Sequence, residues 1–212
     1  MPLPIYYVSV DCCIVVAMPV PVRFTLVALS LIFFVGGLYH RLRSQQSGER
    51  LDRTKEGWPI LIGIRLAGLL TLFSTAAWLW NPPRFEWAAI DVPDTLRWFG
   101  VAAFACSVAW LLWMFHSLGR NLTDTVVTRR DATFVDHGPY RYVRNPMYTG
   151  VLAAGLSLGL ALGTWLVPLG ATVTFTLMAL RTRKEEKYLI ERFGDQYRNY
   201  MTRVGRFFPT LS

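Results

Sequence analysis

The chain has 212 residues, of which 53% are hydrophobic and only 17% charged, with a formal charge of +8. Its mean hydropathy is +0.32, whereas a soluble domain is roughly 45–50% apolar and about 25% charged. The apolar residues fall in long runs, which excludes disorder and disfavours a soluble globule. In such a chain a basic excess points to membrane topology before nucleic acid.

The first twenty residues are apolar but lack a basic n-region, so they do not read as a cleavable signal peptide. They lead into the first span and carry no assigned role. Cys12, Cys13 and Cys106 show neither CxxC spacing nor histidine partners. They read as buried thiols, and no metal site is expected. A bilayer core takes about 20 apolar residues per helix. Five stretches qualify, at about 21–39, 59–80, 96–117, 147–162 and 164–180. The last two are joined by Leu162-Gly163-Thr164, a tight helical hairpin. The expected fold is an all-α polytopic membrane bundle of about five transmembrane helices with a cytoplasmic C-terminal helix.

The connecting segments set an orientation. Basic residues gather in the segment Arg41, Arg43, Arg50, Arg53, Lys55, in the segment Arg120, Arg129, Arg130, Arg141, Arg144, and in the tail from Arg181 to Arg206. They alternate with the 81–94 loop, where Arg84 stands beside Glu86, Asp91 and Asp94, and with the uncharged hairpin at Gly163. The positive-inside rule then puts the N-terminus outside and the tail in the cytoplasm, as expected for a prokaryotic inner-membrane protein. Trp78, Trp80, Trp87, Trp98 and Trp165 fall at the outer boundary and Trp58 at the inner one, where amphipathic rings are favoured. Trp110 and Trp113 read as packing aromatics. Arg65 reads as the lone ionisable side chain within a span, near enough to the cytoplasmic end to snorkel. His116 reads as interfacial. So little intramembrane charge argues against an ion-coupled transporter.

The polar chemistry lies in the 118–150 segment and the tail. Thr123, Thr125, Val126, Val127 and Thr128 favour extended structure, and Asn121, Thr123 and Asp124 are polar candidates without a role. Gly138-Pro139 marks a turn. Asn145-Pro146 suits a helix start, whose free N–H groups can take an anionic group. In the tail, Glu186, Ile190, Phe193, Tyr197 and Tyr200 recur at helical spacing, and Gly194 interrupts the run. These pieces are too short for a separate soluble catalytic domain. The chain therefore reads as one integral membrane domain with an N-terminal three-helix region, 1–117, and a site-bearing region, 118–212.

Gly138-Pro-Tyr-Arg-Tyr-Val-Arg-Asn-Pro-Met-Tyr-Thr-Gly150, the run Arg181 to Glu186, and Phe193-Gly-Asp-Gln-Tyr197 together carry a resemblance. The C-terminal half resembles the isoprenylcysteine carboxyl methyltransferases and their prokaryotic relatives, which share features with the phospholipid methyltransferases. Phe208-Pro209 matches that family's terminal Phe-Pro-like ending. The resemblance implies an integral-membrane methyltransferase that uses S-adenosylmethionine in a cytosolic pocket and takes a lipophilic acceptor from the bilayer. It implies cofactor-binding roles for His137, Gly138, Tyr140, Arg144, Asn145, Pro146, Tyr148 and Glu186. It implies catalytic roles for Arg181, to hold an acceptor carboxylate, and for Glu185, to orient it. The family's Arg-His-Pro is Arg144-Asn145-Pro146 here, and Asn does not exchange a proton at physiological pH. A phospholipid amine, an isoprenoid acid or a small thiol stand beside the namesake prenylcysteine as acceptors. A non-catalytic membrane module, binding lipid or a partner through its basic tail, is the rival class. In that class Arg181 and Glu185 are an exposed i,i+4 pair, and Arg141 and Arg144 are membrane anchors.

Overall fold

A computed structural model describes residues 18–45, 58–80, 82–119 and 133–210. Its α-helices are α1 (Val20–Gln45), α2 (Trp58–Trp80), α3 (Asp94–Leu118), α4 (Pro146–Leu162), α5 (Leu166–Phe193) and α6 (Asp195–Arg203), with 3-10 turns at Pro82–Ala88 and Gly138–Arg141. Among the described residues there is no strand beyond two isolated bridges, so the all-α expectation holds. Cys12, Cys13, Asn121 and the 123–128 segment lie outside the described residues.

Three helices, over Val20–Ser44, Pro59–Trp80 and Asp94–Leu118, are long and apolar enough to cross a bilayer. Phe24, Phe34, Leu70 and Phe73 are each about two-thirds exposed on these helices, a surface suited to lipid. The chain is an integral membrane protein. The fourth and fifth expected spans are shorter: α4 has 17 residues, about 26 Å of helix against a core of about 30 Å. The apolar part of α5 runs straight into its charged part. The end of the expected span near residue 180 falls inside it, because 166–193 is one helix of 28 residues. The Arg-Thr-Arg-Lys-Glu-Glu-Lys run has strong helix formers and offers no stop. The stop comes at Gly194, whose φ of +55° suits glycine and separates α5 from α6.

α3 packs along α4, α4 along α5, α2 against α5, and α1 against α3. The α3–α4 approach is set by Gly100, where a Cβ would lie 2.7 Å from the Ala161 nitrogen and 2.9 Å from the Ser157 oxygen. Small residues let backbones meet in this way where lipid supplies little hydrophobic drive between helices. Val22, Leu26, Val101, Phe104, Val108, Leu158 and Leu162 form the buried core.

At the end of the bundle expected to face outward, Ile90 N–H donates to Gly163 O at 2.8 Å and the Thr164 hydroxyl donates to Ala88 O at 3.1 Å. Trp87 and Trp165 meet edge to face there at 5.6 Å. Three sequence expectations are corrected. Trp78 is a core residue, 3% exposed, because the 3-10 turn folds Phe85 over it. Cys106 is an exposed thiol on α3. Arg65 is not the only ionisable side chain within a span: Arg97 is 1% exposed, with Nε donating to Val92 O at 3.1 Å and Nη1 to Ala161 O at 3.2 Å.

Candidate active site

The site starts from a turn. Gly138 has φ +62° and abuts Ser117 at the end of α3, which fixes the 3-10 turn and buries Pro139. The chain then runs extended through Val143–Asn145 before Pro146 starts α4. This short stretch is paired by the chain's own C-terminal strap. Arg144 N–H donates to Gly205 O at 2.8 Å and Asn145 N–H to Arg206 O at 3.1 Å, beside a parallel bridge between Val143 and Gly205. The Asn145 side chain donates from Nδ2 to Arg206 O at 3.1 Å, and the Thr149 hydroxyl donates to Phe207 O at 2.9 Å. Asn145 holds the strap with its side chain, which makes no cap to α4.

Two charged clusters join this turn to α5. In the first, the Tyr148 hydroxyl donates to Glu185 Oε2 at 2.5 Å and Arg181 Nε donates to Glu185 Oε1 at 2.8 Å. The Arg181 and Glu185 side chains are only 10% and 16% exposed, so this is not a solvated helix pair. In the second, Glu186 lies between two arginines. Arg144 Nη2 is 3.0 Å from Oε1, and Arg206 reaches Oε2 from Nη2 at 2.5 Å and Oε1 from Nε at 3.1 Å. Arg144 also donates from Nη1 to Met201 O at 2.8 Å and Val204 O at 2.9 Å, while its buried Nε has no partner among the described residues. Below them, the Tyr200 hydroxyl donates to Tyr140 O at 2.5 Å, and Phe134 packs on Tyr197 and Tyr200. Burial, then the Tyr200 phenol and Glu185, push the Tyr140 hydroxyl above its ordinary range. Burial raises Tyr197 and Tyr200 as well. The Glu186 hydrogen bond raises Arg206 further.

The structure thus brings together Tyr148, Arg181 and Glu185, and beside them Arg144, Asn145 and Glu186, with Tyr140 close by. Gly138 and Pro146 shape the backbone; the Pro146 carbonyl accepts from Trp110 Nε1 at 3.0 Å. His137 is exposed at the rim. Arg141 is exposed, 5.6 Å over the Tyr142 ring. Sequence reasoning missed Arg206 and Tyr200. Their signal was slight: one basic residue before the Phe-Phe-Pro ending, and one polar edge on an apolar stripe.

Next to the first cluster is a cavity of about 540 Å³, within the usual range of about 300–1,000 Å³ for a ligand site. Its walls come from α1, α2, α3, α4 and α5, mainly as apolar side chains such as Phe33, Leu61, Ile64, Phe115 and Met178. Tyr148 and Arg181 line one part of it, and Arg41 and Arg65 another.

Residues 95–196 match the family model described as phospholipid methyltransferase. A methanethiol S-methyltransferase of Pseudomonas deceptionensis is 32% identical over 146 residues, 63% of this chain and 53% of that protein. The protein-S-isoprenylcysteine O-methyltransferase of Schizosaccharomyces pombe is 31% identical over 96 residues, 44% of this chain and 41% of that one. The chain spans about half the length of the curated relatives it matches. A solved structure of the eukaryotic intramembrane Ras methyltransferase ICMT, isoprenylcysteine carboxyl methyltransferase, superposes with a TM-score of 0.56 at 18% identity, covering 93% of this chain and 70% of that one. The family resemblance read from the sequence is borne out, and the fold is that membrane fold.

Proposed function

We propose that this chain, which carries the phospholipid methyltransferase segment on the isoprenylcysteine carboxyl methyltransferase fold, transfers a methyl group from S-adenosylmethionine to a lipophilic acceptor at the cytoplasmic membrane face. One observation carries this reading: the buried Tyr148–Glu185–Arg181 cluster borders an apolar cavity large enough for a ligand.

The residues present fit the cofactor. Its carboxylate suits Arg144, whose Nε is buried with no partner among the described residues. Asn145 and the Tyr140 hydroxyl supply neutral donors and acceptors nearby. When bound, the cofactor supplies an electrophilic methyl group on a sulfonium. The protein aligns the acceptor and excludes water, which matters most in a direct displacement. Arg181 holds the acceptor head, Glu185 fixes the guanidinium plane, and Tyr148 fixes Glu185 from the other side. Glu186 takes a different part from the one the resemblance implies. Both its oxygens are engaged by Arg144 and Arg206, so it secures the strap and positions Arg144. The basic segments around Arg41 and the tail support an inner-membrane placement with a cytoplasmic C-terminus.

The test uses the full chain in lipid nanodiscs. Calorimetry should show S-adenosylmethionine binding that Arg144→Ala weakens. Labelled-methyl transfer into a membrane lipid extract should be lost in Glu185→Gln while cofactor binding persists. Absence of cofactor binding in a folded sample would overturn the proposal. The relatives act on methanethiol and on isoprenylcysteine according to their names, so the labelled product identifies the acceptor class.

A further inference from the structure

We propose that the C-terminal strap is seated in the bilayer through Phe208, and that this lipid contact holds the strap closed on the site. The partner is the acyl layer of the surrounding membrane, met by the tip of a loop rather than by a spanning helix. The contact stands whether or not the site transfers methyl; only its effect on cofactor affinity rests on the methyl-transfer reading.

The strap is a closed loop with a defined tip. The Thr210 hydroxyl donates to Arg203 O at 2.9 Å, which brings the two ends of the loop together. Within it the chain turns so tightly that a Cβ on Gly205 would collide with the Phe208 carbonyl. The tip is therefore 206–208. Arg206 is held by Glu186. The Phe207 ring lies 6.3 Å from the Tyr148 ring and 5.2 Å from the Phe175 ring. Phe208, the next residue, stays 69% exposed.

A single exposed ring at a water surface means little. Depth decides here. Phe175 lies six residues before Arg181, the first charged residue of α5, roughly 9 Å along the helix into its apolar part. Its side chain slants toward the helix N-terminus, which carries the ring deeper still. Val173 and Leu180, on either side of it along α5, are both exposed, so this length of helix offers a surface suited to lipid. Phe207 reaches that level from the strap, and Phe208 is bonded to it. The exposed Phe208 ring thus sits at the depth of acyl chains, not of the water layer. Arg206 is drawn back to Glu186 and stays 38% exposed on its side chain, as suits a cation at the boundary. The consequence is mechanical. The Gly205 and Arg206 carbonyls accept from the Arg144 and Asn145 N–H groups, and Phe207 O accepts from the Thr149 hydroxyl. A tip held in lipid keeps those bonds closed, and with them Arg144 in place.

The test puts the photoreactive group benzoylphenylalanine at position 208 of the full chain in phosphatidylcholine nanodiscs, with the same group at position 195 as the control. Asp195 lies just past the end of α5, roughly 20 Å beyond Arg181 along the helix. Irradiation should add a phospholipid mass at 208 and none at 195, read by intact mass spectrometry. In the same discs, protease should cut the strap about tenfold faster in Phe208→Ser, as withdrawal of most of a phenylalanine ring from an apolar layer requires. Phe208→Trp should stay within about twofold of the unaltered chain, because indole favours the membrane boundary, and it guards against a folding defect. The affinity for S-adenosylmethionine, measured by calorimetry, should fall about threefold or more in Phe208→Ser. A ring facing water would leave cleavage unaltered on the same substitution. No lipid adduct at 208, or adducts to protein alone, would overturn the proposal, as would a Phe208→Ser strap as protected as the original. If the unaltered chain binds no cofactor, the methyl-transfer reading fails, while the adduct and the cleavage rates still decide the lipid contact.

Discussion

Glu186→Gln separates a strap-holding carboxylate from a cofactor ligand. The Glu186 side chain is 7% exposed and its Arg144 partner 9%. Removing one member of a buried ion pair costs about 3–5 kcal/mol, because the other charge is stranded. Two features lower that here. Arg144 keeps the Met201 and Val204 carbonyls, and the glutamine keeps one acceptor oxygen. The Arg206 arm, 38% exposed on its side chain, is screened by solvent and adds no more than about 1 kcal/mol. A net loss of about 2–3 kcal/mol is expected. At roughly 2–4 °C per kcal/mol for a chain of this size, Tm in detergent should fall by about 5–10 °C. Limited proteolysis should then cut the 204–210 strap first. Arg144→Gln should behave similarly, and the double variant should be less destabilised than the sum of the two, as contact partners require. A Glu186→Gln protein with unchanged Tm and protease resistance but weakened cofactor affinity would refute the strap role and restore Glu186 as a ligand.

Tyr148→Phe removes the hydroxyl that meets Glu185. A hydrogen bond to a charged group is worth about 1.5–3 kcal/mol, so methyl transfer should slow by about one to two orders of magnitude in kcat while cofactor affinity, measured by calorimetry, holds. Gly163→Ala places a side chain at φ +70° and within 2.8 Å of both terminal nitrogens of Arg97, and should lower Tm through a backbone penalty of about 1–2 kcal/mol plus a clash. Tyr140, Tyr197 and Tyr200 all have phenols raised above their ordinary value. Their stabilisation is complete below the unfolded value of about 10 and is lost as pH climbs through the folded values. The cap built from α6 and the C-terminal strap should therefore loosen above about pH 10, seen as tyrosinate absorbance appearing together with strap proteolysis, and Tyr197→Phe should flatten that slope.

Local signals were legible and long-range ones were not. Among the described residues, hydrophobic runs located the three helices long and apolar enough to span a bilayer, and the Gly163 hairpin and the Gly194 stop were readable because a glycine with positive φ acts on its immediate neighbours. The i,i+4 spacing of Arg181 and Glu185 was visible too, but not that Tyr148, 37 residues earlier, would donate to the same carboxylate. Arg97 was overlooked because one basic residue at a span boundary looks like a loop residue until Val92 and Ala161 are seen to receive it. The end of the apolar span near residue 180 falls inside α5 for a related reason: hydropathy changes there, but helix propensity does not.

Asn145 shows how the pieces become one site. Its backbone precedes Pro146 at the start of α4, and its N–H and side-chain amide both donate to the carbonyl of Arg206. The Arg206 guanidinium in turn seizes Glu186 on α5, one residue beyond Glu185, which faces Tyr148 and Arg181. Strap, turn and α5 are thus closed in a ring whose members lie 20 to 61 residues apart in the chain. Ordering such a ring costs conformational entropy, and the return is a rigid wall on which Arg144 and Arg181 are held at fixed positions. An asparagine at this junction differs from a histidine in how it holds the strap. Asparagine offers a donor for the strap at every pH, whereas a histidine would exchange its proton across the physiological range and couple strap closure to pH. Asn145→His should therefore leave the fold intact and make both strap protection and methyl transfer pH-dependent between about 5.5 and 7.5. Proteolysis and turnover measured across that range would show it, and flat profiles would refute the coupling.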